Sequence, residues 1–489
     1  MNITIGEHTE PRWAGLREVG FMAGPIVLGM MSHTVMQFVD TAMVANWRPE
    51  ALGAIGSAGL WVYILSTFLL GVVGCVSTFV SQCIGRDEKE HCAKYAWQGI
   101  YLSFVAGALS LLLWPLAGPL FRSMPHSETV TNYEITYFQV RIFGYLFLAW
   151  GAALAAYFQA IGRPMVPMGI AIFSNILNVG LDYVLIFGIG PFPEWGIYGA
   201  AVATVIGQFV FVAIAQMIFW NARSHREFGT RTAYAFDAHR MRELFRIGWP
   251  SGLTFLLEIT TWGIFTSWVI GRFGDLALAS HTAALTVMHM SFILGVGLNH
   301  AIAPIVGNWI GKGHPDVAIA RTYTALKIAI AYMTMMGIVF ALFGYDIIYI
   351  LFGRSHEIAA MGYKLLLLAA VFQAFDAITL VSEGALRGAG DTRWMAVVMG
   401  IASYFGFLPL ALLLTWVAGL EVLAEWTGGL EAVGAWVGAT VYIIVVSGLM
   451  FYRFYCQKWR HMSIFLKTET TPPAEATPTL KPAQESAKD

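Results

Sequence analysis

The chain has 489 residues, of which 57% are hydrophobic and 12% charged, against the roughly 25% charged residues of an ordinary soluble domain. Its mean hydropathy is +0.64 and its formal net charge is −1. A water-soluble fold of this length is excluded, and without a basic excess so is nucleic acid as a partner.

A membrane-crossing helix needs about 20 apolar residues, and twelve such runs start near residues 20, 51, 95, 134, 165, 196, 245, 278, 322, 360, 394 and 432. Lipid gives exposed backbone no hydrogen-bond partner, so each run must be helical unless the chain closes into a barrel. The alternating ten-residue pattern of barrel strands is absent. The expected fold is an all-α polytopic membrane protein of twelve transmembrane helices. No short apolar core with a small-residue cleavage site precedes the first run, which is read as a retained span.

Taken in chain order, span 1 carries Pro25, a hinge candidate, because an intrahelical proline frees a carbonyl and permits a kink. The same span sets His33, Gln37 and Asp40 at spacings that share a helix face. Cys75, Cys83 and Cys92 near span 2 and the following loop, with Cys456 late in the chain, show neither metal-ligand spacing nor partners for disulfides, and packing roles are expected. Span 5 places Asn175, Asn178 and Asp182 at i, i+3 and i+7, again on one face. After span 6 comes a loop with Arg223, Arg226, Arg231, Arg240, Arg242 and Arg246.

Span 7 holds Pro250, the second hinge candidate, and Glu258 between Thr254 and Thr261. Span 10 is lined by Gln373, Asp376 and Glu383, the last expected to pair locally with Arg387 one turn on. The residues from 461 onward, rich in Pro, Thr, Ala, Glu and Lys past Lys467, read as a disordered tail.

A carboxylate at mid-bilayer costs about 2.5 to 3.5 kcal/mol on insertion scales, so Asp40, Asp182, Glu258 and Asp376 should face the protein interior with a partner. Carboxylate and amide oxygens together suit a small hard cation, and a clustered carboxylate can instead hold a proton. Interhelical hydrogen bonding alone is the plainer use of such groups. The lone histidines His33, His281, His289 and His300 lie in no spacing that ties them to a nucleophile, so no enzyme is expected. A phosphate-binding GxxxxGK[ST] loop and an HExxH pair are missing, which excludes ATP-driven transport within the chain.

The chain repeats itself. Sliding it by 225 positions aligns Arg17-Glu18 with Arg242-Glu243, Pro25 with Pro250, and Ala54, Ala58 and Leu60 with Ala279, Ala283 and Leu285. At nearly the same offset Val80-Ser81-Gln82-Cys83-Ile84-Gly85-Arg86 falls on Val306-Gly307-Asn308-Trp309-Ile310-Gly311-Lys312. Two pseudo-symmetric six-helix halves follow, related by an axis along the membrane normal, a plan that places substrate between the halves. Asp40 falls opposite Phe265 and Glu258 opposite His33, so the halves carry their acids differently. The expected division is an N-terminal lobe at 1–220, an Arg-rich linker at 221–246, a C-terminal lobe at 247–460 and a tail at 461–489. Arg86, Lys89, Arg163, Lys312, Arg387 and Arg393 share the side of the Arg-rich loop, which puts both termini in the cytoplasm by the positive-inside rule.

Read together, FVDTAMV around Asp40, NILNVGLDYVLIFG around Asn178 and Asp182, GAAVAT ending at Thr204, PSGLTFLLE ending at Glu258, and Phe372 through Asp376 to LRGAGDTR resemble the multidrug and toxic compound extrusion (MATE) family, in its bacterial NorM-like branch. The likeness covers about residues 12 to 460. It implies two six-helix lobes around a V-shaped cleft, and secondary export of cationic or amphiphilic compounds against Na+ or H+ at the plasma (inner) membrane. It implies a cation site of Asp40, Asn178, Asp182 and Thr204 in the first lobe and a second at Glu258 and Asp376, with Gln37, Asn175 and Gln373 in support. Na+ would sit at Asp40 and Asp182 or at Glu258 and Asp376; no cofactor beyond the coupling ion and no partner beyond the bilayer and the substrate are expected of this monomer. Asn46 and Trp47 depart from the family, which often has glycine there. A lipid-linked precursor or polysaccharide flippase of the same superfamily is the alternative, but it wants arginines in the cleft, where Arg141 stands nearly alone.

Overall fold

The structure, a computed structural model, describes residues 2–11, 13–124, 126–352, 354–418 and 431–466. A two-stranded antiparallel hairpin, β1 (Asn2–Ile5) and β2 (His8–Pro11), opens the chain. The first half then runs through α1 (Ala14–Trp47), α2 (Pro49–Gly74), α3 (Val76–Gly85), α4 (Lys89–Leu111), α5 (Ala117–Arg122), α6 (Glu128–Ala160), α7 (Met165–Phe187) and α8 (Ile197–Phe219). A short α9 (Ala222–Phe228) leads to the second half: α10 (Ala238–Ile264), α11 (Asp275–Gly311), α12 (Pro315–Leu351), α13 (His356–Ala389), α14 (Thr392–Ile401), α15 (Leu408–Ala418) and α16 (Glu431–Tyr455). The helices α2 and α3 form one span, as do α14 and α15. The protein is multi-pass and nearly all-helical, with six spans in each of two lobes.

Eleven of the spans are long and apolar enough to cross a membrane among the described residues. The twelfth, α4, is lowered by Lys94, Gln98 and its tyrosines. Pro25 and Pro250 both lie inside continuous helices, as does Pro304. Span 7 passes into a π-helical turn at Phe265–Ile270, and span 11 does the same at Ala402–Phe407. The two turns meet where Phe265 packs on Phe407 with ring centroids 4.9 Å apart. Such turns insert a residue into the helical ladder and recur at functional places.

The lobes join at the Arg-rich end. Thr78 Oγ1 donates to Arg387 O at 3.0 Å and Gln82 Nε2 to Gly388 O at 3.1 Å. Every hydrogen bond between the two lobes among the described residues lies in this half. Small residues allow the approach. A Cβ on Gly85 would collide with Asn308 O and Gly311, and a Cβ on Gly311 with Gln82 O and Gly85. These residues are repeat mates, so the crossing of α3 and α11 lies on the pseudo-two-fold axis and each helix offers the other the same surface. A second reciprocal pair sits nearer mid-membrane, where Val27 abuts Gly297 and Val72 abuts Gly252; the 225-residue offset maps one contact onto the other. Closed at this end and parted at the other, the lobes form a V.

The hairpin and residues 461–466 cover the closed end. Gly6, at φ +59°, makes the tight β1–β2 turn, and Glu10 joins Arg321 and Glu18 in a buried ion cluster, with Trp309 Nε1 donating to Glu18 at 2.9 Å. Residues 461–466 depart from the expected disordered tail. Ile464 is buried, Arg246 donates to Ile464 O at 2.7 Å, and Phe465 packs on Phe79, Tyr95 and Arg86. Apolar Ile464 and Phe465 explain the difference, since both pack into the core beside α3, α4 and α10, and Leu466 N donates to Glu243 at 2.6 Å; the rest of the expected tail lies outside the described residues. The stretch expected as linker contains α9 and the first turns of α10. Among the described residues the four cysteines are free thiols.

Candidate functional site

In the first lobe α1, α6, α7 and α8 surround a polar interior. Ser174, Asn178 and Asp182 follow one another at four-residue steps, and all three are buried, so α7 turns a single polar stripe inward. Asn178 lies against Gly207 of α8, where a Cβ would come within 3.4 Å of its own; glycine there lets α8 pack closely on α7 one turn beyond Thr204. Asp40 of α1 is buried, and it lies close enough to Asp182 for its charge to act on that carboxylate. Arg141 of α6 faces both of them and His33, without an ion pair to either acid within 4 Å among the described residues.

Much of this interior is unsatisfied. Asp40 Oδ1, both oxygens of Asp182, both amide atoms of Asn178, Ser174 Oγ, and Nε and one terminal nitrogen of Arg141 are buried without a hydrogen-bond partner. Buried polar atoms in folded proteins are overwhelmingly paired, so this set has room for an occupant that supplies positive charge or donors. Oxygens of two carboxylates, an amide and a hydroxyl suit Na+ or a proton. Among the described residues no three His, Cys, Asp or Glu groups converge in the manner of a transition-metal site.

The expected supporting residues are distributed differently. Gln37 is exposed, because at 100° per residue it sits 60° round α1 from Asp40, whereas Met36 shares the buried side. Asn175 Nδ2 donates to Ser32 Oγ at 3.0 Å and ties α7 to α1. Thr204 Oγ1 donates back to Ala200 O at 3.0 Å, which leaves its lone pairs free to accept. At the mouth, Trp47 donates to Glu194 and packs its ring on Gly196. The tryptophan that departs from the family thus fills a niche made by a glycine of the next loop.

The second lobe is built on α10, α11, α13 and α16. Glu258 is half-buried, Asp376 is buried, and Glu258 acts electrostatically on Asp376 and Glu383. Asp376 Oδ2 and Gln373 Oε1 are buried without partners. Gln373 Nε2 is committed to Ser291 Oγ at 2.8 Å. The local Glu383–Arg387 ion pair is not formed. Arg387 reaches instead to Asn299 Oδ1 of α11 at 2.9 Å and lies 4.7 Å from the centre of the Phe255 ring, leaving Glu383 Oε1 without a partner. His281 is fully enclosed: Trp436 Nε1 donates to its Nδ1 at 3.1 Å, so its proton sits on Nε2 and points at Thr266 Oγ1, 2.9 Å away. That is a packing role.

Each lobe therefore sets one arginine near its group of acids without an ion pair, the half-buried Arg141 in the first and the buried Arg387 in the second. The sequence reading gave Arg387 only a local pairing with Glu383, and Arg141 no role beside the acids. An isolated Arg within an apolar run was the available signal for Arg141, and Ser174 was findable at one turn from Asn178.

The MatE family profile matches residues 25–184 and again 250–413, two stretches whose starts differ by the internal repeat offset. The multidrug resistance protein NorM of Burkholderia vietnamiensis is 29% identical over 392 residues, covering 79% of this chain and 83% of that protein. In structure the chain resembles a MOP superfamily transporter from Pyrococcus furiosus, with TM-score 0.81 at 20% identity over 92% of this chain and 97% of the other. It resembles an outward-facing multidrug resistance MATE family transporter with TM-score 0.81 at 19% identity over the same shares. The chain belongs to the MATE, multidrug and toxic compound extrusion, family of membrane transporters.

Proposed function

We propose that the protein is a secondary multidrug exporter of the plasma (inner) membrane, exchanging Na+ or H+ for small cationic or amphiphilic organic compounds. The Arg-rich end carries both termini and faces the cytoplasm on this reading, so the V opens outward. The observation that supports coupling is the set of orphaned carboxylate oxygens of Asp40, Asp182 and Asp376. A mobile cation arriving from the open side satisfies them, and its departure exposes their charge again. Ion binding then favours one facing of the lobes and organic substrate the other, and mass action links the two fluxes. Asp40, Asn178, Asp182 and Thr204 hold the ion in the first lobe, Glu258 and Asp376 in the second, and Pro25 and Pro250 absorb the bending. The protein works as a monomer in the bilayer, without a cofactor.

The test is efflux of an organic cation from proteoliposomes with Na+ and H+ gradients imposed separately. Export driven by one gradient, and lost in Asp40→Asn or Glu258→Gln, is the expected result. Equal export without either gradient, or undiminished export in both variants, overturns the proposal.

A further inference from the structure

At the Arg-rich end, outside both acid clusters, a cleft of about 450 Å³ opens between the start of α10, the start of α14, the end of α16 and residues 462–464. Arg246, Arg393 and Arg453 line it against one acid, Asp391, a local excess of two positive charges. Arg453 is spoken for: its Nε donates to Asp391 at 2.6 Å and its guanidinium lies 4.9 Å from the centre of the Trp394 ring. Arg393 is exposed and has no partner among the described residues. Arg246 Nε and Trp394 Nε1 are buried with no acceptor. Ile247, Val397 and Ile464 add apolar lining. Val397, one turn beyond Arg393, and Trp249, one turn from Arg246, are exposed, as expected where a protein meets the headgroup layer.

Free guanidinium and indole donors beside apolar lining match an anion with a greasy attachment. We infer that this cleft binds a phosphate group, presented by the headgroup of an acidic phospholipid of the Arg-rich leaflet. Arg393 supplies the unspent charge, Arg246 Nε and Trp394 Nε1 the donors, and the Val397 side accepts the start of an acyl chain. Lipid at this place bridges α10 and α14 to residues 462–464.

The test uses the purified full-length protein in neutral detergent, titrated with phosphatidylglycerol or phosphatidylcholine and read by native mass spectrometry. One phosphatidylglycerol should be retained in preference to phosphatidylcholine. Arg393→Gln should weaken it about tenfold or more, the loss of one charged hydrogen bond, Arg393→Lys should restore part of it, and Arg223→Gln on the same face should leave it unchanged. Competition by millimolar inorganic phosphate would support the phosphate group as the recognised element, and retention of free phosphate without phosphatidylglycerol would overturn the lipid as its source. Equal retention of the two lipids, or retention indifferent to Arg393→Gln, would overturn the site. The readout is binding alone, so it stands or falls independently of coupled export.

Discussion

Asp182 is fully buried and neither of its carboxylate oxygens meets a donor. An ionised group so placed is costly unless something positive accompanies it, and Arg141, though facing it, makes no ion pair. If the missing companion is the transported ion, then removing the charge should cost function without costing stability. Asp182→Asn is expected to unfold in detergent at the wild-type temperature or above it, while gradient-driven export drops at least about tenfold, the effect of 1.4 kcal/mol or more on the coupled step. A large fall in unfolding temperature would instead assign Asp182 a structural hydrogen bond. Carboxylates inside apolar runs announce themselves in a sequence. Their counter-charges do not, because whether Arg387 reaches Glu383 or Asn299 depends on how α13 is rotated against α11, which spacing along one helix leaves open.

Outside the membrane, Glu10 shows the opposite regime. The hydrogen bond from Arg321 holds its carboxyl below the ordinary range, outweighing the burial that would raise it; the charge of Arg321 adds to the lowering. A lowered native value means that the unfolded chain takes up the proton first as pH falls. The stabilisation is therefore complete above the unfolded value, near 4.5, and disappears as pH drops through the native one. Glu10→Gln should destabilise by about 1 to 3 kcal/mol at neutral pH, the value of a charged hydrogen bond, with the gap to wild type closing under acid. Thermal unfolding of both proteins across that range checks it; a gap that widens on acidification would contradict the assignment.

At the scale of elements, twelve apolar runs in the sequence correspond to the twelve spans because lipid forces each into a helix, although α4 falls short of the others in hydropathy. What hydropathy misses are the pieces held by tertiary contact: the hairpin at 2–11, the π-turns at 265–270 and 402–407, and the packed segment 461–466. The hairpin had a local signal in Ile3, Ile5 and the Gly6-Glu7 turn; the π-turns had none, since their cause lies in the neighbouring helix. Glycine approaches were half legible. The repeat alignment pairs Val27 with Gly252 and Val72 with Gly297, but only the fold shows that Val27 meets Gly297 and Val72 meets Gly252. Because those two contacts are symmetry copies, a methyl group added at either should have similar consequences. Gly252→Ala would place its Cβ 2.7 Å from Val72 Cγ2 and closer still to Phe68 O. Gly252→Ala and Gly297→Ala are each expected to lower stability by about 1 to 3 kcal/mol, the usual cost of overpacking. Chemical or thermal unfolding of the two variants side by side is the measurement, and a wide disparity between them would show that the lobes share topology without sharing mechanics.

For the whole molecule, the contacts between lobes form one surface at one end, and its centre is the self-complementary crossing of α3 and α11. A transporter that alternates must separate this surface once per cycle, and it can do so without unfolding either lobe because the crossing is made by small residues and few hydrogen bonds. A covalent tie across it should therefore stop transport while leaving the V-shaped form intact. Ser81 and Gly307 are the place: a Cβ on Gly307 would lie 3.2 Å from Ser81 Cβ, close to the roughly 3.5 to 4.5 Å that disulfides span. With Cys75, Cys83, Cys92 and Cys456 replaced by alanine, Ser81→Cys with Gly307→Cys should lose gradient-driven export on oxidation and recover it on reduction. Each single cysteine should transport under both conditions. Substrate binding from the open side should survive oxidation, since the V is already parted there. Export that continues with the disulfide formed in most molecules would mean that the lobes never part at the Arg-rich end, and alternation would have to be sought within a lobe, at the π-turns Phe265–Ile270 near the end of span 7 and Ala402–Phe407 in span 11.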